Sequence, residues 1–342
     1  MGSKTQAGRD RPGFSRRLLL AVTKRTRADR LWLRSVSRVP YGAGSRVLAW
    51  FWNQRLIRRI FFQRQLKQLE QILPLAHKPV DLHSTGARYL ACSYGIYWRL
   101  IALSRCSDQE FHKWVRFTGE EQLQPLRDTG KGLIFVSSHF GLSRCVPLTL
   151  CRQGYDLHSV EAANVLKKIG AKSSDRLKVI EVGGGATFLL RQAFMARRVL
   201  MDGGMLHMVP DGLKGSSSIQ IPFHGRMRSF ATGFAELALG TGAAVVPVIA
   251  NMDVDGRIHV EFSAPLDTGS EDLERQERIE NLIRQYGSYL ENRWSDDPGS
   301  VRMHHVEHFL GLPAITAQHS AASAGTSNLR ENVIPDGAGQ RN

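Results

Sequence analysis

A histidine flanked by small residues lies where an apolar segment ends. Residues 132–136 read GLIFV and residues 137–141 read SSHFG, so His139 follows a run typical of a buried strand. In α/β proteins, the loops at the carboxyl ends of strands present ligands with catalytic groups. An imidazole at such a place can take a proton from a substrate hydroxyl near neutral pH. The position indicates a general base, and the alternative is a lone polar residue at a strand end.

A second block of residues favours the first of these two interpretations. Residues 209–233 read VPDGLKGSSSIQIPFHGRMRSFATG, and a helical AELALGTG and a strand-like AAVVPVIA follow them. Together with SSHFG and its lead-in FTGEEQLQPLRDTGKGLIF, this order of blocks resembles the lysophospholipid acyltransferase superfamily. It is most similar to the bacterial late acyltransferases of lipid A biosynthesis, over roughly residues 64–293.

The resemblance implies roles for individual residues in both blocks. His139 matches the family's catalytic histidine in its His-x4-Asp/Glu motif, in which the carboxylate orients the histidine. The PDG at 210–212 matches the block that lies near this histidine and lines the acceptor site, and FHGR at 223–226 matches the family's FFGR stretch. The substrate-binding residues implied in this way are Gly141, Gly212, Lys214, Arg226 and Thr232.

The resemblance also implies a reaction. The acyl donor is expected to be a thioester on acyl carrier protein or coenzyme A, and the acceptor a hydroxyl of a phosphorylated lipid at the cytoplasmic membrane face. The histidine would act as general base, and backbone N–H groups can hold the tetrahedral oxyanion. The thioester is the expected co-substrate, and no other cofactor and no metal are expected.

The chain departs from the family pattern at residue 144. Arg144 stands five positions after His139, where the family has Asp or Glu. Arginine offers no acceptor for an imidazole N–H and disfavours a protonated histidine nearby. Either Asp211 takes the catalytic, orienting role and Arg144 binds a substrate phosphate, or catalysis is weak or absent. In the second case the chain is an impaired homologue that binds lipid or a protein partner.

Two other kinds of site find little support. The chain contains no P-loop and no GxGxxG, so a nucleotide-phosphate cradle is not predicted. His304, His305 and His308 have a spacing that a metal site could use, but no carboxylate accompanies them at a suitable spacing. The pattern favours a solvated helix end there.

Strand and helix signals alternate around both blocks. Apolar runs typical of strands recur between residues 132 and 262, with helix-type segments between them. This alternation predicts an α/β domain with one mostly parallel sheet flanked by helices. The expected division of the chain is a disordered basic tail at 1–17, a basic, aromatic-rich helical region at 18–110, the α/β domain at 111–312 and a disordered tail at 313–342.

The excess positive charge of the chain lies in its N-terminal part. The net charge is +15, and residues 1–67 hold 17 lysines and arginines against two acids, Asp10 and Asp29, which accounts for the whole excess. Within 46–69, tryptophan and phenylalanine are interleaved with arginine at helical spacing. Such a helix can lie on an anionic membrane surface, and the alternative is a helix packed on the protein body.

These features favour a peripheral protein on the cytoplasmic face of a bacterial inner membrane. No apolar run reaches the ~18–20 residues that span a bilayer, and LLLAV at 18–22 is too short for a signal-peptide core. No nucleic-acid fold signature accompanies the basic arm, so a nucleic-acid partner is not expected. The expected partners are the acyl thioester and anionic membrane lipid, and the sequence assigns no oligomeric state.

Overall fold

The computed structural model describes residues 39–161, 166–167, 171, 174–182, 186–212 and 217–314. The predicted tail at 1–17, the first part of the predicted helical region and nearly all of the predicted C-terminal tail lie outside the described residues. None of the described helices is both long enough and apolar enough to cross a bilayer.

The described N-terminal part of the chain is helical. Its helices are α1 (Tyr41–Asn53), α2 (Arg55–Phe61), α3 (Gln63–Ile72), α4 (Leu82–Tyr94), α5 (Ile96–Arg105) and α6 (Asp108–Trp114). The prediction of one amphipathic helix over 46–69 is wrong, because the chain breaks at Gln54 and Phe62. The breaks allow Trp52 and Phe62 to be buried, with ring centroids 5.2 Å apart and both rings against Tyr94. Burial of these large side chains outweighs the continuity of a single helix.

The described strands form one large sheet and a separate hairpin. The strands are β1 (Val115–Thr118), β2 (Leu133–Val136), β3 (Leu157–Glu161), β4 (Leu177–Glu181), β5 (Met205–Met208), β6 (Ser218–Phe223), β7 (Arg226–Ala231), β8 (Ala244–Met252) and β9 (Ile258–Phe262). The large sheet has the order β1-β9-β8-β2-β5-β3-β4. Its pairs are parallel except β8 with β9. The predicted α/β class with a mostly parallel sheet is confirmed.

Strand β2 lies inside this sheet, between β5 and β8. All four of its residues are buried, as expected for a parallel strand covered on both faces. The remaining helices are α7 (Leu123–Asp128), α8 (Val146–Gln153), α9 (Ala186–Met201), α10 (Gly233–Thr241), α11 (Arg275–Asp296) and α12 (Met303–Leu310). The register pairs Val136 with Met208, the last residues of β2 and β5. The loops that follow these two strands therefore leave the sheet side by side.

Strand β7 was not predicted from the sequence, whereas α12 includes the helix end predicted at residues 304–308. Strand β7 pairs with β6 in an antiparallel hairpin whose register joins Phe223 to Arg226. The two residues between them have positive φ values of 45° and 71°, as a two-residue hairpin turn requires. Just before α12, Val301 forms an antiparallel bridge with Phe140 in the loop after β2. The hairpin and the C-terminal segment thus both lie next to the carboxyl ends of β2 and β5.

Candidate active site

The loops after β2 and β5 bring His139 and Asp211 together. Nδ1 of His139 lies 3.0 Å from Oδ1 of Asp211, and the backbone N–H of His139 donates to both carboxylate oxygens, at 3.1 and 3.0 Å. Because Nδ1 faces a carboxylate, we assign it the proton, which leaves Nε2 as the acceptor nitrogen. The histidine side chain is 24% exposed and that of Asp211 only 2%. The predicted proximity of the two residues is confirmed, and the imidazole is held with one edge accessible.

A buried arginine holds Asp211 from the hairpin. Nη2 of Arg228, on β7, lies 3.3 Å from Oδ2 of Asp211, and both side chains are 2% exposed. The guanidinium carbon lies 4.6, 5.0 and 5.2 Å from the ring centroids of Phe223, Phe230 and Trp294. Burial by itself raises the pKa of Asp211, but attraction and hydrogen bonding by the neighbouring basic side chains, His139 first, outweigh it and hold the pKa below 3.8. The carboxylate is therefore ionised and fixed by partners on two sides.

His305, on α12, packs face to face on His139. The two ring centroids are 4.3 Å apart and the ring planes differ by 18°. Nδ1 of His305 lies 3.2 Å from Nη2 of Arg228, and the arginine must be the donor because a guanidinium has no acceptor. Burial holds the pKa of His305 well below 6.5. A neutral ring therefore covers one face of the imidazole of His139.

The prediction of a solvated helix end at residues 304–308 is wrong for His305. The buried face of α12 consists of His305, Val306 and Phe309, whereas His304 and His308 are exposed. The apolar pair at 306 and 309 marks this face in the sequence, because residues three apart share one side of a helix. That signal could have identified His305 as a buried residue.

Three histidines meet at this site, and their arrangement can be tested against a metal. His139, His304 and His305 have ring nitrogens within 4.8 Å of one another. A metal ion lies in the plane of each imidazole that binds it, at about 2.1 Å from the nitrogen. Two rings stacked 4.3 Å apart share no such point, so His139 and His305 cannot bind one ion in this arrangement. The geometry suits acid–base chemistry at Nε2 of His139.

Two glycines allow the backbone to pass close to the histidine. Gly141 has a φ of 55°, and a Cβ there would lie 2.3 Å from the carbonyl oxygen of Ala250. The N–H groups of Gly141 and Leu142 donate to backbone carbonyls at 2.7 and 2.6 Å, so neither is available to an oxyanion. On the loop after β5, a Cβ at Gly212 would lie 3.8 Å from Cε1 of His139. Gly212 thus lies against the imidazole, and Gly141 allows the loop after β2 to pass close to the backbone of β8.

Arg226 and Arg228 show why neighbouring bases of one strand differ in role. Nη1 of Arg226 donates to the carbonyls of Leu310 and Leu312, which ties the end of α12 to β7. Arg228, which the sequence did not single out, contacts Asp211 instead. In strand β7, Arg228 and Phe230 are buried and Ser229 between them is exposed. Because residues two apart share one face of a strand, the position of Arg228 two residues before Phe230 is the local signal that it points inward.

The other predicted substrate-binding residues are spread around the site. Arg144 is half-buried, and its Nη1 donates to the hydroxyl of Tyr97 at 3.1 Å. Thr232 precedes α10, and its buried hydroxyl lies 2.6 Å from a carboxylate oxygen of Glu236. Lys214 lies outside the described residues. Substrate binding by these residues stays a prediction.

Known protein families and solved structures include proteins that are similar to this chain. Residues 87–293 match a family model described as bacterial lipid A biosynthesis acyltransferase. No curated protein matches the chain. Among solved structures, the chain is similar to the 1-acyl-sn-glycerophosphate (LPA) acyltransferase PlsC from Thermotoga maritima, with 16% sequence identity and a TM-score of 0.32 over 73% of this chain and 97% of that one. The matched family range contains His139, Asp211 and Arg228 and ends before α12.

Proposed function

The chain belongs to the bacterial lipid A biosynthesis acyltransferase family, and from this premise we propose the reaction and the roles of its residues. The protein transfers a fatty acyl chain from a thioester, on acyl carrier protein or coenzyme A, to a hydroxyl of a lipid or glycolipid acceptor. The observation that carries this proposal is the contact between His139 and the buried, ionised Asp211. A general base oriented in this way is what acyl transfer to a hydroxyl requires.

The proposed reaction begins at Nε2 of His139. This nitrogen takes the proton of the acceptor hydroxyl while the hydroxyl oxygen attacks the thioester carbonyl carbon. The tetrahedral intermediate collapses, the C–S bond breaks, and the imidazolium returns its proton to the leaving sulfur. Asp211 keeps the imidazole in one orientation and stabilises its protonated form. The products are an ester of the acceptor and a free thiol.

Asp211 replaces the motif carboxylate of the family in this mechanism. The family's acid lies five residues after the histidine, where this chain has Arg144. Here the carboxylate reaches Nδ1 from the loop after the neighbouring strand β5. The orienting task depends on the position of an acceptor atom and not on the strand that supplies it, so the exchange preserves the chemistry.

An acyl-transfer assay tests this function. Wild type, His139→Ala and Arg144→Asp are incubated with radiolabelled acyl carrier protein thioester or coenzyme A thioester and bacterial membrane lipids. Wild type should label a lipid, and His139→Ala should lower the rate by about 10²-fold or more. The rival function, an impaired homologue that binds lipid, is favoured by Arg144. It predicts an inactive wild type that gains activity in Arg144→Asp.

We also propose that α1 and α2 bind the protein to an anionic membrane surface on the cytoplasmic face of the inner membrane. Large apolar side chains on these helices are 47–71% exposed, namely Val47, Trp50, Leu56, Ile60 and Phe61. Exposed arginines on the same helices are Arg46, Arg55 and Arg59. Apolar groups can enter the lipid interface while the bases interact with phosphates, each at about 1 kcal/mol. The adjoining helix α3 packs against α12, which carries His305.

Vesicle pelleting tests the membrane surface. The full chain should pellet with vesicles that contain phosphatidylglycerol, pellet less with phosphatidylcholine alone, and lose binding at high salt. The combined change Trp50→Ser, Leu56→Ser and Ile60→Ser should reduce pelleting. Leu190→Ser with Phe194→Ser is the matched control, because these α9 side chains are equally exposed, at 71% and 72%. Equal binding to both kinds of vesicle would contradict the proposal.

A further inference from the structure

Two arginines next to His139 have no acidic partner among the described residues. Arg302 is 6% exposed, and its Nε and Nη1 are buried without a hydrogen-bond partner. Arg144 is half-buried and donates to the uncharged hydroxyl of Tyr97. No described carboxylate lies within ion-pair distance of either guanidinium, and the nearby Asp297 pairs with Arg88 at 2.6 Å. Two positive charges are thus held close to the base with nothing in the described chain to balance them.

Backbone contacts place both arginines beside the catalytic loop. The antiparallel bridge between Phe140 and Val301 makes His139 and Arg302 neighbours across it. Arg144 lies in the short helix Ser143–Cys145 that follows the same loop. Burial and then repulsion by Arg144 lower the pKa of Arg302 to about 10, so its side chain is still charged at neutral pH.

A buried unpaired charge is expensive for the fold. Removing an arginine from water carries a large desolvation cost, and only close counter-charges and hydrogen bonds offset it. Replacement by an apolar side chain of similar volume commonly stabilises a protein at such a position. An arginine whose only role was structural would be expected to have partners, as Arg228 has Asp211. Arg302 therefore has the features of a ligand-binding side chain.

We propose that Arg144 and Arg302 form a binding site for a phosphate ester next to His139. A guanidinium donates two parallel hydrogen bonds to phosphate, and a phosphate carries enough charge and oxygen atoms to engage two arginines together. A carboxylate has a single charge and two oxygens, which suits one arginine. The phosphate belongs either to the acceptor lipid or to the thioester donor. The inference that this phosphate belongs to a substrate of His139 rests on the proposed function.

Calorimetric titration of the full chain tests this site. The probes are dodecyl phosphate, dodecanoate and the uncharged dodecyl maltoside, each below its micelle concentration. Dodecyl phosphate should bind most tightly, and Arg302→Met and Arg144→Gln should each weaken it about tenfold or more without affecting dodecyl maltoside. Arg116→Gln, an exposed arginine on the edge strand β1, is the matched control. Equal binding of dodecanoate, or full phosphate binding in both variants, would overturn the proposal.

Thermal melting separates a binding role from a structural one. Arg302→Met should raise the melting temperature by about 2–4 °C, because it removes an unpaired buried charge. Dodecyl phosphate should raise the melting temperature of wild type and have little effect on this variant. A lower melting temperature for Arg302→Met, with phosphate still stabilising it, would show a structural arginine and overturn the site. Arg144→Gln, at a half-buried position, provides the same test if Arg302→Met does not fold.

Two further comparisons identify the source of the phosphate and keep the two proposals apart. If coenzyme A or holo acyl carrier protein binds in an arginine-dependent way and competes with dodecyl phosphate, the phosphate belongs to the donor; if neither does, it belongs to the acceptor. His139→Ala should lose acyl transfer and keep phosphate binding. A wild type that binds phosphate through both arginines without transferring acyl groups would refute the proposed function and support the site. An active enzyme that binds phosphate independently of the arginines would refute only the site.

Discussion

Two buried arginines flank His139, and they differ in what they face. Arg228 lies 3.3 Å from Asp211 and is enclosed by aromatic rings, whereas the N–H groups of Arg302 at Nε and Nη1 have no partner in the described chain. Both incur the cost of desolvation and both have a buried Nη1 without a partner, but Arg228 recovers part of the cost through a hydrogen bond and attraction to the carboxylate of Asp211. Arg228 thus holds the carboxylate that orients His139. Arg302 has the properties of a side chain that binds a ligand.

The two arginines also come from different parts of the chain. Arg228 is on the hairpin strand β7, inside the range 87–293 that matches the family. Arg302 follows that range, in the segment that precedes α12. The orienting side of the site thus belongs to the matched region, and the C-terminal segment adds the unpaired charge and the stacked His305.

The largest expected difference between the two arginines is in stability. Arg228→Met should lower the free energy of unfolding by about 3–5 kcal/mol, because Asp211 would keep a buried charge with one partner fewer. Arg302→Met is the matched substitution and should have the opposite sign. Urea denaturation of both variants measures the difference. Equal destabilisation by the two substitutions would contradict the proposed difference and show that both arginines are structural.

Kinetic constants should distinguish the residue that orients His139 from a residue that binds substrate, and this is the next largest effect expected. Asp211→Asn should lower kcat on the order of 10²-fold or more, because an amide can donate to Nδ1 of His139 and so favour the wrong tautomer. Arg144→Gln should mainly raise KM, since it removes a binding group and not the orienting one. Steady-state rates over a range of acceptor concentrations separate the two parameters. A fully active Asp211→Asn would exclude Asp211 from the mechanism.

The smallest effect is a difference in acid sensitivity. Burial holds the pKa of His305 well below 6.5, so below pH 6.5 the unfolded chain binds a proton that the folded protein does not. The free energy of unfolding should therefore fall as the pH is lowered through this window, by up to about 1.4 kcal/mol per pH unit for one histidine. Asp211, with a pKa below 3.8, adds a loss only in stronger acid.

The variant His305→Asn should make this pH dependence shallower, and Arg116→Gln, on the edge strand β1, should leave it unchanged. His207 provides a reference, because burial also lowers its pKa, to about 3, and His207 is untouched in both variants. Urea denaturation from pH 7 to pH 4 gives the slopes. An unchanged slope in His305→Asn would show that this histidine is not buried and neutral as described.

The sequence is enough to predict the sheet and the proximity of the loops that follow β2 and β5. Apolar runs at 132–136 and 205–209 predict buried parallel strands, and the resemblance to the family places Asp211 close to His139. Both inferences depend on local patterns and on the order of blocks along the chain. They concern positions within a few residues of a strand end, where local periodicity is informative.

Which charges are paired depends on tertiary packing. Arg226 and Arg228 have the same residue type and neighbouring positions, yet one binds backbone carbonyls and the other Asp211. His305 and Arg302 acquire their surroundings through contacts with the β2 loop, far away in the sequence. Burial and electrostatic partners depend on the packing of distant segments, which no local periodicity records. The same base can therefore be solvated, structural or a binding group, and the packing around it determines which.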